Sequence, residues 1–200
     1  MGARGRDAVN RAADVAVAGA ALVVASPLLA LAALASKLGD RGPVLYRQTR
    51  VGRGGADFEL LKLRTIVVGA ESMGAGYAVD RGDARITRTG RILRRLSLDE
   101  LPQLWNVIRG DMSVVGPRPT LRYQVERYDE RQRRRLEVKP GITGWAQVHG
   151  RASLPWAERI ELDVWYVEHR SPWLDLRILA KTPFALFGGT YRGATGGWRS

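Results

Sequence analysis

Asp99 and Glu100 lie side by side in the stretch Ser97-Leu98-Asp99-Glu100-Leu101-Pro102-Gln103. The chain around them is strongly basic: Arg81, Arg85, Arg88, Arg91, Arg94 and Arg95 precede the pair, and Arg109 and Arg118 follow it. Nearby positive charge favours the carboxylate form, so both acids are expected to be ionised. Adjacent carboxylates ringed by arginine suit a hard divalent cation and a polyanionic substrate together, which is the setting for phosphoryl chemistry. A plainer reading fits the same residues. Ser97-x-x-Glu100 has the spacing of a capping box, and acids in a first helical turn offset the macrodipole. Pro102 would interrupt a helix capped by Ser97, but it is harmless in the first turn of one capped by Asp99. Capping and catalysis can also coexist, because a helix N-terminus is an anion site.

Other cations could serve the same chemistry. Arg118 stands between Pro117 and Pro119, on a backbone stiff enough to lower the entropy lost on fixing its side chain. A guanidinium so held can grip a phosphate bidentately, although a surface turn would look the same. Lys62 and Arg64 could aim a basic pair at a phosphate or simply decorate an edge strand. The two histidines, His149 and His169, have no zinc spacing, and cysteine is absent, so any metal is expected to take oxygen ligands. The formal net charge of +12 points to a polyanionic partner: nucleic acid, an anionic membrane face or a phosphorylated substrate.

These residues need elements to hold them. Residues 15–35 are apolar except for Ser26, long enough to span a bilayer. Pro27 removes a backbone hydrogen bond near the middle, which predicts a bend there, with Ser26 able to satisfy a freed carbonyl. Basic residues flank both ends, Arg4, Arg6 and Arg11 before and Lys37, Arg41, Arg47 and Arg50 after. That symmetry favours both ends on one side of the membrane, hence a re-entrant helix kinked at Ser26-Pro27; an ordinary kinked transmembrane helix is the alternative.

Val44-Leu45-Tyr46-Arg47-Gln48 and residues 57–64 read as a small β-hairpin turning at residues 52–55. Residues 69–84 read as a glycine-rich loop or a frayed short helix, a candidate mobile lid, and residues 85–96 as a short basic helix. A helix follows Pro102. Residues 123–138 read as one helix whose Arg131, Arg133, Arg134 and Arg135 form a basic face, either solvated or laid on anionic headgroups. Lys139-Pro140-Gly141 is a rigid turn before a short strand at 146–149. Residues 154–169 and 173–187 read as amphipathic helices, the last suited to a membrane interface. The fold class is α+β. Its parts are a basic N-terminus and membrane helix (1–38), a catalytic unit (39–187) with several amphipathic interfacial helices, and a flexible tail (188–200).

At this point the chain resembles a known family, the bacterial sugar transferases, small monotopic phosphoglycosyl transferases. The likeness runs over roughly residues 7–187. It is carried by Ser26-Pro27, Gly42-Pro43-Val44, Tyr46-Arg47-Gln48, Arg50-Val51-Gly52, Lys62 with Arg64-Thr65, Arg85-Ile86-Thr87-Arg88, Gly90-Arg91, the stretch 97–103, Trp105-Asn106-Val107, residues 110–119 and 139–147, and Tyr166. Leu63 and Ile66 depart conservatively from the usual Phe and Met. His149 replaces a usual Asn near the presumed site.

The resemblance implies a two-step transfer of a sugar-1-phosphate from a UDP-sugar to polyprenol (undecaprenyl) phosphate. Asp99 would be the nucleophile, UMP the leaving group, and Glu100 a metal ligand or acid/base. Mg²⁺ would sit on Asp99 and Glu100. Lys62, Arg94, Arg118 and Arg151 would bind phosphate; Arg64 is another candidate residue and Asp163 a further acidic one. It also implies the cytoplasmic face of a bacterial inner membrane, contact with anionic lipid, no nucleic acid, and room for a homodimer. Two other readings remain beside it: a non-enzymatic, membrane-anchored basic protein that binds lipid or nucleic acid, and a membrane phosphatase or nuclease using the same acids with Mg²⁺.

Overall fold

The computed structural model describes residues 3–40, 42–70, 83–150 and 153–187. It is mixed helix and strand, with one long apolar N-terminal helix and a small antiparallel hairpin. The expected loop at 69–84 falls mostly outside the described residues, as does the tail from 188.

Helix α1 (Ala3–Asp40) contains Pro27 and stays one continuous helix. Proline leaves the carbonyl four residues earlier without its N–H, and that carbonyl is Val23's. The Ser26 hydroxyl donates to it at 2.8 Å, so the lost bond is replaced locally. The stretch Asn10–Gly39 is long and apolar enough to cross a membrane, and only 11% of its most apolar window is buried. One narrow stripe of α1 nevertheless packs inward along its length. Ala18, with Ala21 and Leu22, meets Leu60, Leu104, Val107 and Met112. Further along, Ala32 and Leu29 meet Leu63, Leu93 and Leu98. Small side chains at these contacts let the helix lie close. On the outer face Val23, Val24, Leu31 and Leu38 stay exposed.

Two polar ties fix the N-terminal end of this helix. The Arg11 guanidinium donates to the carbonyls of Val107 and Ile108, at the end of helix α3 (Gln103–Arg109). There it satisfies C-terminal carbonyls and offsets the dipole. Asp14 accepts from Ser113 Oγ at 3.0 Å and from the Val114 N–H at 2.8 Å.

The hairpin pairs β1 (Leu45–Val51) with β2 (Asp57–Leu63), with Tyr46 opposite Lys62 and Arg50 opposite Phe58. Period two then places Tyr46, Gln48, Arg50 and Lys62 on one face. Helix α3 docks on β2 through Asn106, which is fully buried. Its Oδ1 accepts from the Leu61 N–H at 3.0 Å, and its Nδ2 donates to the Glu59 carbonyl at 2.7 Å and to Asp111 at 3.1 Å. One side-chain amide thus acts as a strand neighbour to the hairpin's edge.

A second, parallel pair joins β3 (Ser113–Val115) to β4 (Gly141–Thr143). The backbones here meet with no room for side chains. A Cβ on Gly141 would lie 2.1 Å from the Gly116 nitrogen, and one on Gly144 would lie 2.1 Å from the Gly116 oxygen. The remaining helices are α2 (Arg88–Arg95), α4 (Arg122–Val125), α5 (Glu130–Arg133), α6 (Trp145–Val148), α7 (Trp156–His169) and α8 (Pro172–Phe187).

Two sequence expectations are corrected. The single helix over 123–138 is broken: Asp129 caps a new start, its side chain accepting from the Gln132 N–H, and a 3-10 turn follows at Arg134–Glu137. In place of the strand at 146–149 there is a helical turn, Trp145–Val148, which follows Gly144 and puts the Trp145 ring on Trp165 and against His149.

Asn106→Leu should destabilise the chain by about 2–4 kcal/mol, because it strands the buried Leu61 N–H and Glu59 carbonyl. Trp105→Leu, on the exposed side of the same helix, should change stability by less than about 0.5 kcal/mol. Denaturant melts of both variants in one detergent check the contrast, and equal losses would refute it.

Candidate active site

Asp99 and Glu100 sit on a 3-10 turn, Leu98–Glu100, between α2 and α3. Ser97 enters that turn in the left-handed region (φ 55°), the one non-glycine residue with positive φ among the described residues. Such a conformation is uncommon outside glycine, and it swings the chain sharply out of α2. The Ser97 side chain makes no capping bond, and Pro102 rather than Asp99 precedes the first turn of α3. The capping reading of the two acids therefore does not hold, and their carboxylates are left for other work.

Glu100 is the hub. Its Oε1 accepts from Arg118 Nη2 at 2.5 Å and from Lys62 Nζ at 3.3 Å, while Oε2 takes Arg118 Nη1 at 3.3 Å. Lys62 comes from β2 and Arg118 from the turn after β3. The Glu100 and Lys62 side chains are 13% and 19% exposed, so the pair is little screened. Burial pulls the Lys62 ammonium below its ordinary value, against the opposing pull of Glu100. Asp99 is nearly buried and has no hydrogen bond or ion pair with any described residue.

Asp99's carboxyl is pushed up, first by burial and then by the neighbouring Glu100, against the pull of Lys62, Arg94 and Arg118. The expected strong ionising effect of the arginines is thus outweighed. The reason is placement: Arg88, Arg91 and Arg95 lie on the solvent side of α2, and Arg85 is buried on Asp83 and the Ala70 carbonyl. Of these only Arg94 is near, its Nε donating to Thr65 Oγ1 at 2.8 Å.

The structure brings Asp99, Glu100, Lys62, Arg118 and Arg94 together. Arg64 points elsewhere, its guanidinium on the carbonyls of Pro43 and Ile66. Arg151 lies outside the described residues. His149 packs on Trp145, its Nε2 3.1 Å from Lys181 Nζ. Asp163, expected on a mostly solvated helix face, is buried on Arg135 at 2.5 Å. Arg135, expected on the basic face of a helix, is buried too. Burial pushes the Asp163 carboxyl up to about 6 in spite of Arg135.

Sequence reasoning also missed Arg50. Among the described residues it bonds neutral acceptors only, Gln48 Oε1 at 2.6 Å and the Pro119 carbonyl at 3.4 Å. Burial and the nearby Arg118 lower it to about 10. The alternation of Tyr46, Gln48 and Arg50 on the Lys62 face was the available signal.

Lys62, Arg118 and Arg50 around one glutamate leave an excess of positive charge, the electrostatic requirement for a diphosphate. For a metal, the donor set is two neighbouring carboxylates, one of them without a protein partner among the described residues. No group of three or more His, Cys, Asp or Glu gathers there among those residues. That is too few ligands for an all-protein cage. It fits Mg²⁺, which takes one or two carboxylates and fills its remaining positions with water and substrate phosphate.

Comparison with known proteins places the chain in a family. The model of the family described as bacterial sugar transferase matches residues 5–189. The chain is 49% identical to an uncharacterized sugar transferase, EpsL, of Bacillus subtilis, over 78% of this chain and 74% of that protein. It is 47% identical to the UDP-glucose:undecaprenyl-phosphate glucose-1-phosphate transferase of Caulobacter vibrioides, over 88% of this chain and 68% of that one. It is 43% identical to the UDP-N-acetylgalactosamine-undecaprenyl-phosphate N-acetylgalactosaminephosphotransferase of Aeromonas hydrophila, where the match covers 87% of this chain but only 42% of the relative.

The Asp163 carboxyl yields a pH prediction. Its folded value, about 6, lies above the ordinary value near 3.8. The folded state therefore holds more protons than the unfolded chain between these values, and the contribution of this group to stability declines as pH rises through that window. Urea melts at pH 4.5 and 6.5 should show this slope in wild type relative to Asp163→Asn; identical slopes would refute it.

Proposed function

The chain belongs to the bacterial sugar transferase family, and we propose that it moves a sugar-1-phosphate from a UDP-sugar to polyprenol phosphate. The observation that carries this reading is the Asp99 carboxylate, with no protein partner among the described residues, beside a glutamate already held by Lys62 and Arg118. An unsolvated carboxylate with raised basicity is a competent nucleophile.

In the first step an Asp99 oxygen attacks the phosphorus that bears the sugar. The bond from that phosphorus to the bridging oxygen breaks, UMP departs with the electron pair, and the phosphosugar remains on Asp99 as an acyl phosphate. In the second step a phosphate oxygen of the lipid acceptor attacks the same phosphorus and the Asp99 carboxylate is released. Lys62 and Arg118, with Arg94 and Arg50 nearby, hold the phosphoryl oxygens and offset the charge that builds on them. Glu100 holds the two cations it contacts in place beside each other. Mg²⁺ on Asp99 and Glu100 would neutralise the diphosphate and the leaving UMP.

The lipid acceptor requires the site to lie at a membrane, and the packing of α1 supports one disposition. Its N-terminal third is tied to α3 and β3 and its C-terminal third packs on α2 and β2, all parts of one catalytic unit. A helix with both ends on the same unit does not carry that unit to opposite faces of a bilayer. We therefore place α1 as a re-entrant element on the cytoplasmic face of a bacterial inner membrane, where the nucleotide sugar is available. Ile92 on α2, Leu96 just after it, and Trp173, Leu176 and Phe184 on α8 are exposed apolar groups for the interface, with neighbouring exposed arginines for anionic lipid.

In nanodiscs with undecaprenyl phosphate and Mg²⁺, wild type should release UMP from one member of a UDP-sugar panel, and EDTA should stop the release reversibly. Asp99→Asn should lower the rate by roughly 10³-fold or more. Intact-mass measurement with donor alone should show the phosphosugar adduct on wild type only. Transfer by the variant, or hydrolysis of donor with no need for acceptor, would overturn the reading.

A further inference from the structure

Arg118 reaches Glu100 from a turn that cannot hold itself. Pro117 and Pro119 have no N–H to donate, so the turn's hydrogen bonds must come from outside. Four consecutive carbonyls receive one each. Pro117 O takes the Gly141 N–H at 2.9 Å, and Thr120 O takes the Val51 N–H at 2.9 Å. Pro119 O takes Arg50 Nη1 at 3.4 Å. The carbonyl of Arg118 itself takes Arg135 Nη2 at 2.9 Å.

Arg135 is the unusual member of this set. It is buried, as is its partner Asp163, with both side chains 4% exposed. Its Nη2 also meets Asp163 Oδ2 at 2.5 Å, and its Nη1 donates to Tyr128 Oη at 2.5 Å. The Tyr128 hydroxyl passes on to Thr120 Oγ1 at 3.2 Å. One guanidinium therefore grips the turn at Arg118 directly and at Thr120 through the tyrosine, while α7 anchors it from behind through Asp163. Only a planar fork with several fixed donors can do this; a lysine ammonium has the charge without the geometry.

A buried ion pair is a poor way to gain stability, because well-packed apolar residues of similar volume often do as well or better. Asp163 even leaves its Oδ1 with no hydrogen-bond partner among the described residues. What an apolar pair could not do is fix the Arg118 carbonyl.

We propose that Arg135 and Asp163 are positioning residues for Arg118, holding the 117–120 turn so that its guanidinium meets Glu100 and the substrate's phosphate. This rests on the reading that Arg118 binds that phosphate. It gives Asp163 a role through Arg135 rather than as a metal ligand or proton donor.

A double-mutant cycle tests it, using the full chain in nanodiscs. Asp163→Asn, which keeps the side chain's shape, should lower kcat/KM for the UDP-sugar by about tenfold to a hundredfold. In an Arg118→Ala background the same substitution should have almost no further effect. Arg135→Lys should behave as Asp163→Asn does, and it serves alone if that variant does not fold, with folding followed by thermal melts. A pair that only stabilised the fold would give equal losses in both backgrounds. Equal losses, or no loss in either, would overturn the inference. An Arg118→Ala chain as active as wild type would also overturn it, by removing the role on which it rests. A wild-type chain that transfers no sugar phosphate would instead mark failure of the proposed function.

Discussion

Glu100 is the contact on which the rest of the site depends. One carboxylate joins Lys62 from the hairpin to Arg118 from a turn far along the chain. Without it the little-exposed Lys62 would face the half-exposed Arg118 with no charge between them, and like charges repel. With it they stay close, and the excess positive charge is left for a phosphate. The same bond frees Asp99. Because its neighbour takes the cations, Asp99 is left with no partner among the described residues, and a carboxylate in that state has its electron pairs available. Which of the two adjacent acids is ion-paired thus follows from which one the cations reach.

That contact is possible only because three stretches of backbone come closer than side chains would permit. Gly116, Gly141 and Gly144 meet at distances that a Cβ would violate. Their approach lets β3 and β4 pair and delivers the Pro117-Arg118-Pro119 turn to Glu100. On the other side, the amide of Asn106 holds the hairpin against α3, so that Lys62 arrives from the opposite direction. Neither device adds chemistry of its own. Each sets a distance that the chemistry needs.

The local pieces of this arrangement were legible in the sequence. Alternation over residues 44–64 marked the hairpin, Pro102 marked the start of α3, and Ser26-Pro27 marked the carbonyl that Ser26 caps. The acid pair and the proline-flanked arginine stood out by residue type and spacing alone, and the structure brings Glu100 and Arg118 together. What could not be read was burial. Arg135 falls in a run of arginines that composition assigns to solvent, yet it is the buried one, in the 3-10 turn Arg134–Glu137 that follows the helix Asp129 starts. Asp163 shares a helix with acids that do face solvent. The ionising field expected from the α2 arginines failed for the same reason, since spacing along the chain does not say which face of a short helix meets the acids. The strand expected at 146–149 gave way to helix because tertiary stacking around Trp145 overrides a weak local preference.

The membrane helix belongs to the same logic of distances. An anchor on a free linker would leave the site's height above the bilayer undefined. Here α1 is instead a wall of the catalytic core: Ala18 shares a cluster with Leu60 of β2 and Val107 of α3, and Ala32 shares one with Leu63 and Leu93. Those clusters flank the strand and the turn that carry Lys62 and Asp99. Moving the helix relative to the domain would disturb the site itself. If α1 lies in the membrane as proposed, the depth of its outer face sets the height of Asp99 within the few ångströms that side-chain packing allows. A lipid phosphate is confined to a layer of fixed height, so the acceptor and nucleophile proposed above would then need to search in only two dimensions.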